Sequence, residues 1–355
     1  MEQKKPKIAI IGCGGIAKNA HMNSYRELNR FEVVAACDIL PERAKAFAEA
    51  NGIPQYFTDY HDVLKLEGLD AVDICTPNYL HSIIAVDALN AGLNVLCEKP
   101  DAINPVEAEK MKAAAEKNGK LLMVIRNNRF ANHSIFLKKY IEEGKLGHIY
   151  AARCGWQRRR GIPGRGGWFT TKEQSGGGPL IDLGVHMIDL TMWLMGNPTP
   201  VAVSGCTYTA FANNQSESTA SKYGDVNVNG TFDVEDLAMG FIRFDNGACL
   251  QIEFSWASNI ERDNKFYELR GTEAGASWSF IDDTLRIFKE ECGTNTDLTP
   301  KFKKPRHGHV GNIENFADAL EGKAEPVFKP QQGIDMIKIL CAIYESAKTG
   351  KEVIL

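Results

Sequence analysis

The sequence predicts an α/β protein in two parts: a doubly wound parallel sheet, then an α+β domain on an open, mainly antiparallel sheet. Three observations predict this. The apolar run Ile8-Ala-Ile-Ile11 enters the glycine turn Gly12-Cys-Gly-Gly-Ile-Ala17 and then a helical pattern; short β-branched runs alternate with helical stretches as far as residue 125; and beyond Arg129 several strands follow one another without helices between them. Alternation describes a parallel sheet covered by helices, whereas consecutive strands describe antiparallel pairing.

In the first part, strands fall at 8–11, 33–37, 55–57, 71–75, 94–97 and 121–125, with helices near 16–29, 41–51, 61–66, 79–91 and 105–118. Gly52, Gly92 and Gly119 follow three of these helices, where glycine ends a helix at little steric cost. In the second part, 134–143 reads as a helix, 149–156 as a strand, Gly161-Ile-Pro-Gly-Arg-Gly-Gly-Trp168 as a loop and 179–194 as a helix. Strands are expected at 201–208, 237–244, 248–256, 265–270, 276–280 and 285–288, with 213–229 a polar excursion and helices near 310–320 and 331–349 closing the chain. The boundary is placed at residue 126, giving domains 1–126 and 127–355.

Composition limits the function. A chain of 355 residues that is 44% apolar and 24% charged can fill two cores. A net charge of −4 supplies no basic field for nucleic acid or anionic lipid. The start, Met1-Glu-Gln-Lys-Lys-Pro-Lys7, lacks a secretory apolar segment, and no later run approaches the roughly 18 apolar residues of a membrane span, so a cytosolic protein is expected. The nine cysteines contain no C-x-x-C pair, and Cys37, Cys75 and Cys97 sit in apolar strands; reduced structural thiols follow, with no disulfide and no metal site assigned.

The chemistry-bearing residues form two groups. A strand, glycine turn and helix in succession let backbone N–H groups meet a pyrophosphate, and Asp38 ends the second strand about 20 residues on, where an acid holds a ribose hydroxyl. Asp38 favours NAD over NADP because a carboxylate repels a 2′-phosphate; Arg43 is the only nearby candidate for a phosphate clamp. Lys99, in Glu98-Lys99-Pro100 at the end of the fifth strand, is placed beside the dinucleotide, where an ammonium stabilises a developing alkoxide. A solvated Glu-Lys pair is the plainer alternative. The second group is Asp182-Leu-Gly-Val-His186-Met-Ile-Asp189. On a helix Asp182 and His186 share a face, so the carboxylate can orient an imidazole that takes a hydroxyl proton. Asp189 is either a third polar member or solvated, and a core histidine is the alternative for His186.

With Thr76-Pro-Asn78, His81, Arg129-Phe130 and Gly167-Trp168-Phe169 in the same order, the sequence resembles the Gfo/Idh/MocA oxidoreductases over nearly its whole length. The resemblance implies a Rossmann domain, an α/β domain whose sheet often forms homo-oligomer contacts, and a tightly held NAD. It implies catalytic roles for Lys99, Asp182 and His186. Cofactor contacts are expected from Gly12, Gly14, Gly15, Ile16, Ala17, Asp38, Thr76, Pro77, Asn78, His81, Glu98 and Lys99. Substrate contacts are expected from Lys99, Asn127, Asn128, Arg160, Trp168, Asp182 and His186. Turn and cap roles compete at Thr76-Pro77-Asn78, His81, Asn127 and Asn128; a solvated run competes at Arg158-Arg-Arg160, and a loop anchor at Trp168. Asp101 places a second carboxylate near Lys99, and His309 begins a helix that can approach the site.

The resulting expectation is hydride transfer between NAD and a secondary ring hydroxyl of a sugar or glycoside, with the 3-position as the candidate carbon. An inositol dehydrogenase, a redox-neutral NAD-dependent glycosidase and a non-catalytic NAD-binding regulator are the alternatives, and Lys99 alone also allows a Schiff-base aldolase.

Overall fold

β-branched runs that are apolar on both sides have to be covered on both faces, and this drives the first part of the chain into a helix-flanked sheet. The structure, a computed structural model, describes residues 5–212, 226–302 and 308–355. The chain runs β1 (Lys7–Ile11), a widened helical turn Ala17–His21 continuing into α1 (Met22–Leu28), β2 (Glu32–Cys37), α2 (Pro41–Asn51), β3 (Gln55–Phe57), α3 (Tyr60–Val63), β4 (Ala71–Ile74), α4 (Asn78–Asn90), β5 (Asn94–Cys97), α5 (Pro105–Asn118) and β6 (Leu122–Val124). There follow α6 (Asn132–Glu142), β7 (Ile149–Gln157), α7 (Lys172–Ser175) and a second widened turn, Leu180–Gly184, leading into α8 (Val185–Leu194). β8 (Pro200–Tyr208), β9 (Leu237–Phe244), β10 (Cys249–Ser255), β11 (Asn264–Gly271), β12 (Ala274–Ser279), β13 (Thr284–Glu291) and β14 (Thr294–Leu298) precede α9 (Gly308–Leu320), α10 (Pro330–Thr349) and β15 (Val353–Ile354).

Two units emerge, one of residues 1–127 with 307–334 and one of 128–306 with 335–355. In the first, six parallel strands take the order β3-β2-β1-β4-β5-β6. Ile8, Ile10, Ile74, Val95 and Leu96 are fully buried, each stabilising the sheet by about 1.5–3 kcal/mol. Local signals set the helices. For α5, Asn104 Oδ1 accepts from the Glu107 N–H at 3.0 Å, Pro105 opens the first turn and left-handed Gly119 closes the last. The sequence division at 126 had assigned α9 to the second domain; in the structure it lies in the first unit. Ile313, Phe316 and Ala317 enter that core, with Phe316 stacked on Phe31 at 6.0 Å.

In the second unit nine strands take the order β14-β13-β12-β11-β7-β10-β9-β8-β15, antiparallel except for β7 with β10. The expected strands are all present. β14 (Thr-Asn-Thr-Asp-Leu) and the two-residue β15 were not anticipated, because edge strands without apolar alternation carry no strand signal. Most of the expected excursion at 213–229 lies outside the described residues. Among those described, no helix is long and apolar enough to cross a membrane.

Candidate active site

β2, β1, β4 and β5 are neighbours, so their carboxyl ends line up along one edge, where ligands of open α/β sheets bind. β1 ends at Gly12, whose φ is +100°; a Cβ there would stand 2.6 Å from the Cys75 backbone, so a side chain meets both torsional strain and a clash. At Gly14 and Gly15, by contrast, a Cβ would meet nothing within 4 Å. Helical structure starts at Gly15, with Ile16 exposed and Ala17 buried. At the end of β2, Asp38 is held by the N–H groups of Cys13 and Leu40, each at 3.0 Å, and Arg43 stands 3.9 Å from its carboxylate.

β4 runs into Thr76-Pro77-Asn78. The Thr76 hydroxyl is buried and has no hydrogen-bond partner among the described residues, a cost of about 1–3 kcal/mol unless a ligand supplies one. Open space over Gly14 and Gly15 together with this orphaned hydroxyl fit a dinucleotide along the strand ends. β5 ends in Glu98-Lys99-Pro100, with a cis Lys99–Pro100 peptide. His81 of α4 joins the last two strand ends, its Nδ1 2.7 Å from the Pro100 carbonyl oxygen and its Nε2 2.8 Å from that of Thr76. Burial pushes its pKa down against the pull of these two carbonyls. His81 thus ties the two turns together from within the unit.

The second unit builds its polar centre around the start of α8. The Glu235 carboxylate accepts from the N–H groups of Gly178 and Leu180 at 2.9 and 3.0 Å and from the Tyr344 hydroxyl at 2.9 Å, satisfying N–H groups that lead into the helix. Glycine at 178 is required because a Cβ would stand 2.0 Å from the Glu235 carbonyl oxygen. In the widened turn, Asp182 Oδ2 accepts from Nε1 of the fully buried Trp256 at 3.0 Å. Strand register places Phe254, Trp156 and Lys265 in one row across β10, β7 and β11. The Trp156 ring lies 6.0 Å from that of His186, and Lys265 Nζ lies 4.4 Å over the Trp156 ring. Lys265 also donates to Asn128 Oδ1 at 3.1 Å, while the Asn128 amide reaches the His186 carbonyl oxygen at 3.5 Å. Burial, aided by Arg158 and opposed by Asp283, pushes the Lys265 amine down to about 8.

Residues 6–126 match the oxidoreductase family with the NAD-binding Rossmann fold, and residues 138–355 match the C-terminal alpha/beta domain of the same family. The chain belongs to the Gfo/Idh/MocA oxidoreductases. It is 34% identical over 348 residues to D-glucoside 3-dehydrogenase of Escherichia coli (strain K12), covering 98% of this chain and 97% of that protein. It is 26% identical over 356 residues to the NAD(+) scyllo-inositol 2-dehydrogenase of Bacillus subtilis (strain 168), covering 98% and 95%. Its fold matches a levoglucosan dehydrogenase solved with NADH and levoglucosan at a TM-score of 0.87, 24% identity and 99% coverage of both chains.

For a member of this family, the expected cofactor residues of the first unit lie at the ends of four adjacent strands. Several other residues have roles that the sequence did not reveal. Asp189 forms a buried bidentate ion pair with Arg129, Nε to Oδ2 at 2.8 Å and Nη2 to Oδ1 at 2.7 Å, so it is not solvated. Asp101 is matched by Arg126 at 2.5 Å, which accounts for a second carboxylate close in sequence to Lys99. Arg160 donates to the Arg159 and Ser258 carbonyls and to Asn259 Oδ1 and stacks over Phe211, which ties loops together. Trp168 stacks on Phe169 at 3.8 Å. Asn127 Oδ1 is buried and lacks a partner among the described residues. Glu235 was missed; its signal was a run of acids, Asp233-Val-Glu-Asp236, entering a strand.

Proposed function

We propose that this NAD-dependent oxidoreductase oxidises a secondary ring hydroxyl of a sugar glycoside at its 3-position, and runs the reverse reduction with the same groups. The observation that carries the substrate class is the full-length similarity to a D-glucoside 3-dehydrogenase, at 34% identity. The similarity to scyllo-inositol 2-dehydrogenase, at 26% identity, supports the second reading, a cyclitol substrate.

In this reading the substrate hydroxyl gives its proton to the His186 imidazole, with Asp182 holding the start of that helix in register through Trp256. The Lys99 ammonium donates a hydrogen bond to the substrate oxygen and favours its developing negative charge. NAD, when bound, supplies the hydride acceptor. Asp38 takes the ribose hydroxyls, and the Thr76 hydroxyl gains the partner it lacks. The Asn127 amide oxygen is available to a sugar hydroxyl. The reading also includes cytosolic residence and a homo-oligomer formed through the second unit's sheet, which light scattering on the purified protein tests.

The deciding experiment follows nicotinamide absorbance with a panel of inositols, free sugars and O- and C-glycosides. Glycosides giving 3-keto products support the proposal, and turnover of inositols alone replaces it with the cyclitol reading. Aglycone release without accumulating NADH indicates a redox-neutral glycosidase. Lys99→Met should keep NAD binding and lose turnover.

A further inference from the structure

Beneath the strand ends of the first unit lies a buried chain of ionisable groups that the proposed reaction does not use. Asp73, in the middle of β4, and His21, at the end of the first widened turn, are both fully buried. His21 Nδ1 is 2.7 Å from Asp73 Oδ2, and its Nε2 is 2.8 Å from Glu98 Oε1. Asp73 Oδ2 also accepts from the Tyr25 hydroxyl at 2.8 Å, and Oδ1 lies 3.8 Å from the Cys75 thiol. Glu98 Oε2 accepts from the Lys99 backbone N–H at 3.1 Å, and Oε1 lies 3.3 Å from His309 Nε2 at the start of α9.

Both carboxylates are thus surrounded by donors. An imidazole that donates to a carboxylate from each nitrogen carries N–H at both. We propose that His21 is a positioning residue, an imidazolium pinned between Asp73 and Glu98 that fixes the Glu98 carboxylate and, through it, the backbone of Lys99. Burial opposes charge on the ring, but Asp73 outweighs it and holds the His21 pKa well above its ordinary value. Burial likewise opposes charge on Glu98, and His21 followed by His309 holds that carboxyl well below the ordinary range. The Cys75 thiol beside Asp73 is pushed up to about 12, chiefly by burial, and stays neutral. His21, Glu98 and His309 also bring three ligand-type atoms within 4.8 Å of one another. The 2.8 Å between His21 Nε2 and Glu98 Oε1 is nevertheless a hydrogen-bond length, whereas two tetrahedral ligands on one zinc ion stand about 3.3 Å apart.

The inference rests on the proposed role of Lys99, and its test separates the two. In the wild-type protein labelled with nitrogen-15 histidine, His21 should show two ring N–H protons at neutral pH, above the ordinary histidine value, assigned by their loss in His21→Gln. His21→Gln and Glu98→Gln should each lower kcat about 10²-fold with little change in substrate KM, as displacement of a group near the chemistry does. The same variants should change the acylation rate of the Lys99 amine, read by peptide mass spectrometry. A single N–H on His21, unchanged Lys99 reactivity in both variants, or one tightly bound zinc per chain would overturn the proposal. If the wild type oxidises no ring alcohol, the reading of function fails, while the labelling and acylation results still decide this one.

Discussion

Two helices, each opening in a widened turn, carry the polar chemistry of the two units, and they anchor it through different groups. In the first, His21 is gripped at both nitrogens by carboxylates, at 2.7 and 2.8 Å. In the second, Asp182 is held by the neutral indole N–H of Trp256, and the ring near His186 is that of Trp156. A charged partner fixes both the direction and the protonation state of a group. A neutral donor fixes direction without adding a charge of its own. Widened turns recur at functional sites because one additional residue re-aims the side chains that follow; here the same device serves a static charge in one unit and a candidate base in the other.

Replacing the two histidines tests this contrast most directly. His186→Ala should lower kcat by about 10²–10⁴-fold, the usual contribution of a positioned base, with the urea midpoint left near that of the wild type. If it unfolded the protein as readily as a buried-charge variant, His186 would be a structural residue like His21 and the contrast would collapse.

The static charges of the second unit supply the next test. Arg129 and Asp189 are 1% and 4% exposed, so Asp189→Ala strands a buried guanidinium and should cost about 3–5 kcal/mol in urea unfolding. A much smaller loss would mean that this unit tolerates unpaired charge, and the distinction between static and mobile charge would no longer follow burial.

The pH dependence sharpens the comparison further. His21 is raised, so its stabilisation is full below the ordinary histidine value near 6.5 and is lost as pH rises through the raised value. Glu98 is lowered, so its stabilisation is full above the ordinary glutamate value near 4.3 and is lost as pH falls through the lowered value. The stability deficit of His21→Gln should therefore be greatest between about pH 4.3 and 6.5 and shrink at alkaline pH. Urea titrations at several pH values read this directly, and a deficit that grows with pH would reverse the assigned charge.

Local grammar made the cofactor edge legible: the apolar run before Gly12, the acid ending the second strand and the Glu98-Lys99-Pro100 turn are all short-range patterns. The charge pin was not legible, because Asp73 and Glu98 lie 52 and 77 positions from His21. Its one trace was Asp73 within Ala71-Val-Asp-Ile74, an acid inside a run that otherwise reads as fully buried. Asp189 was misread for a related reason. The helical spacing suggested His186 as a neighbour, whereas its partner Arg129 lies 60 positions upstream.

The smallest expected effect concerns Lys265, an amine that belongs to neither pattern. Its head is half-buried over Trp156, and its pKa falls from 10.5 to about 8, chiefly through burial. Because the unfolded chain binds the extra proton between those values, stability should rise with pH from about 8 to 10.5 and be lowest below that window. Lys265→Met removes this slope. At neutral pH it relieves at most about 3 kcal/mol of unfavourable ionisation, from which the lost bond to Asn128 and the contact with Trp156 subtract about 1 kcal/mol each. The net should be a gain of roughly 1 kcal/mol at pH 7 that turns into a loss of roughly 1 kcal/mol by about pH 10. A loss already at pH 7 would show that the ammonium is held as firmly as His21, making the row beside His186 a second static charge.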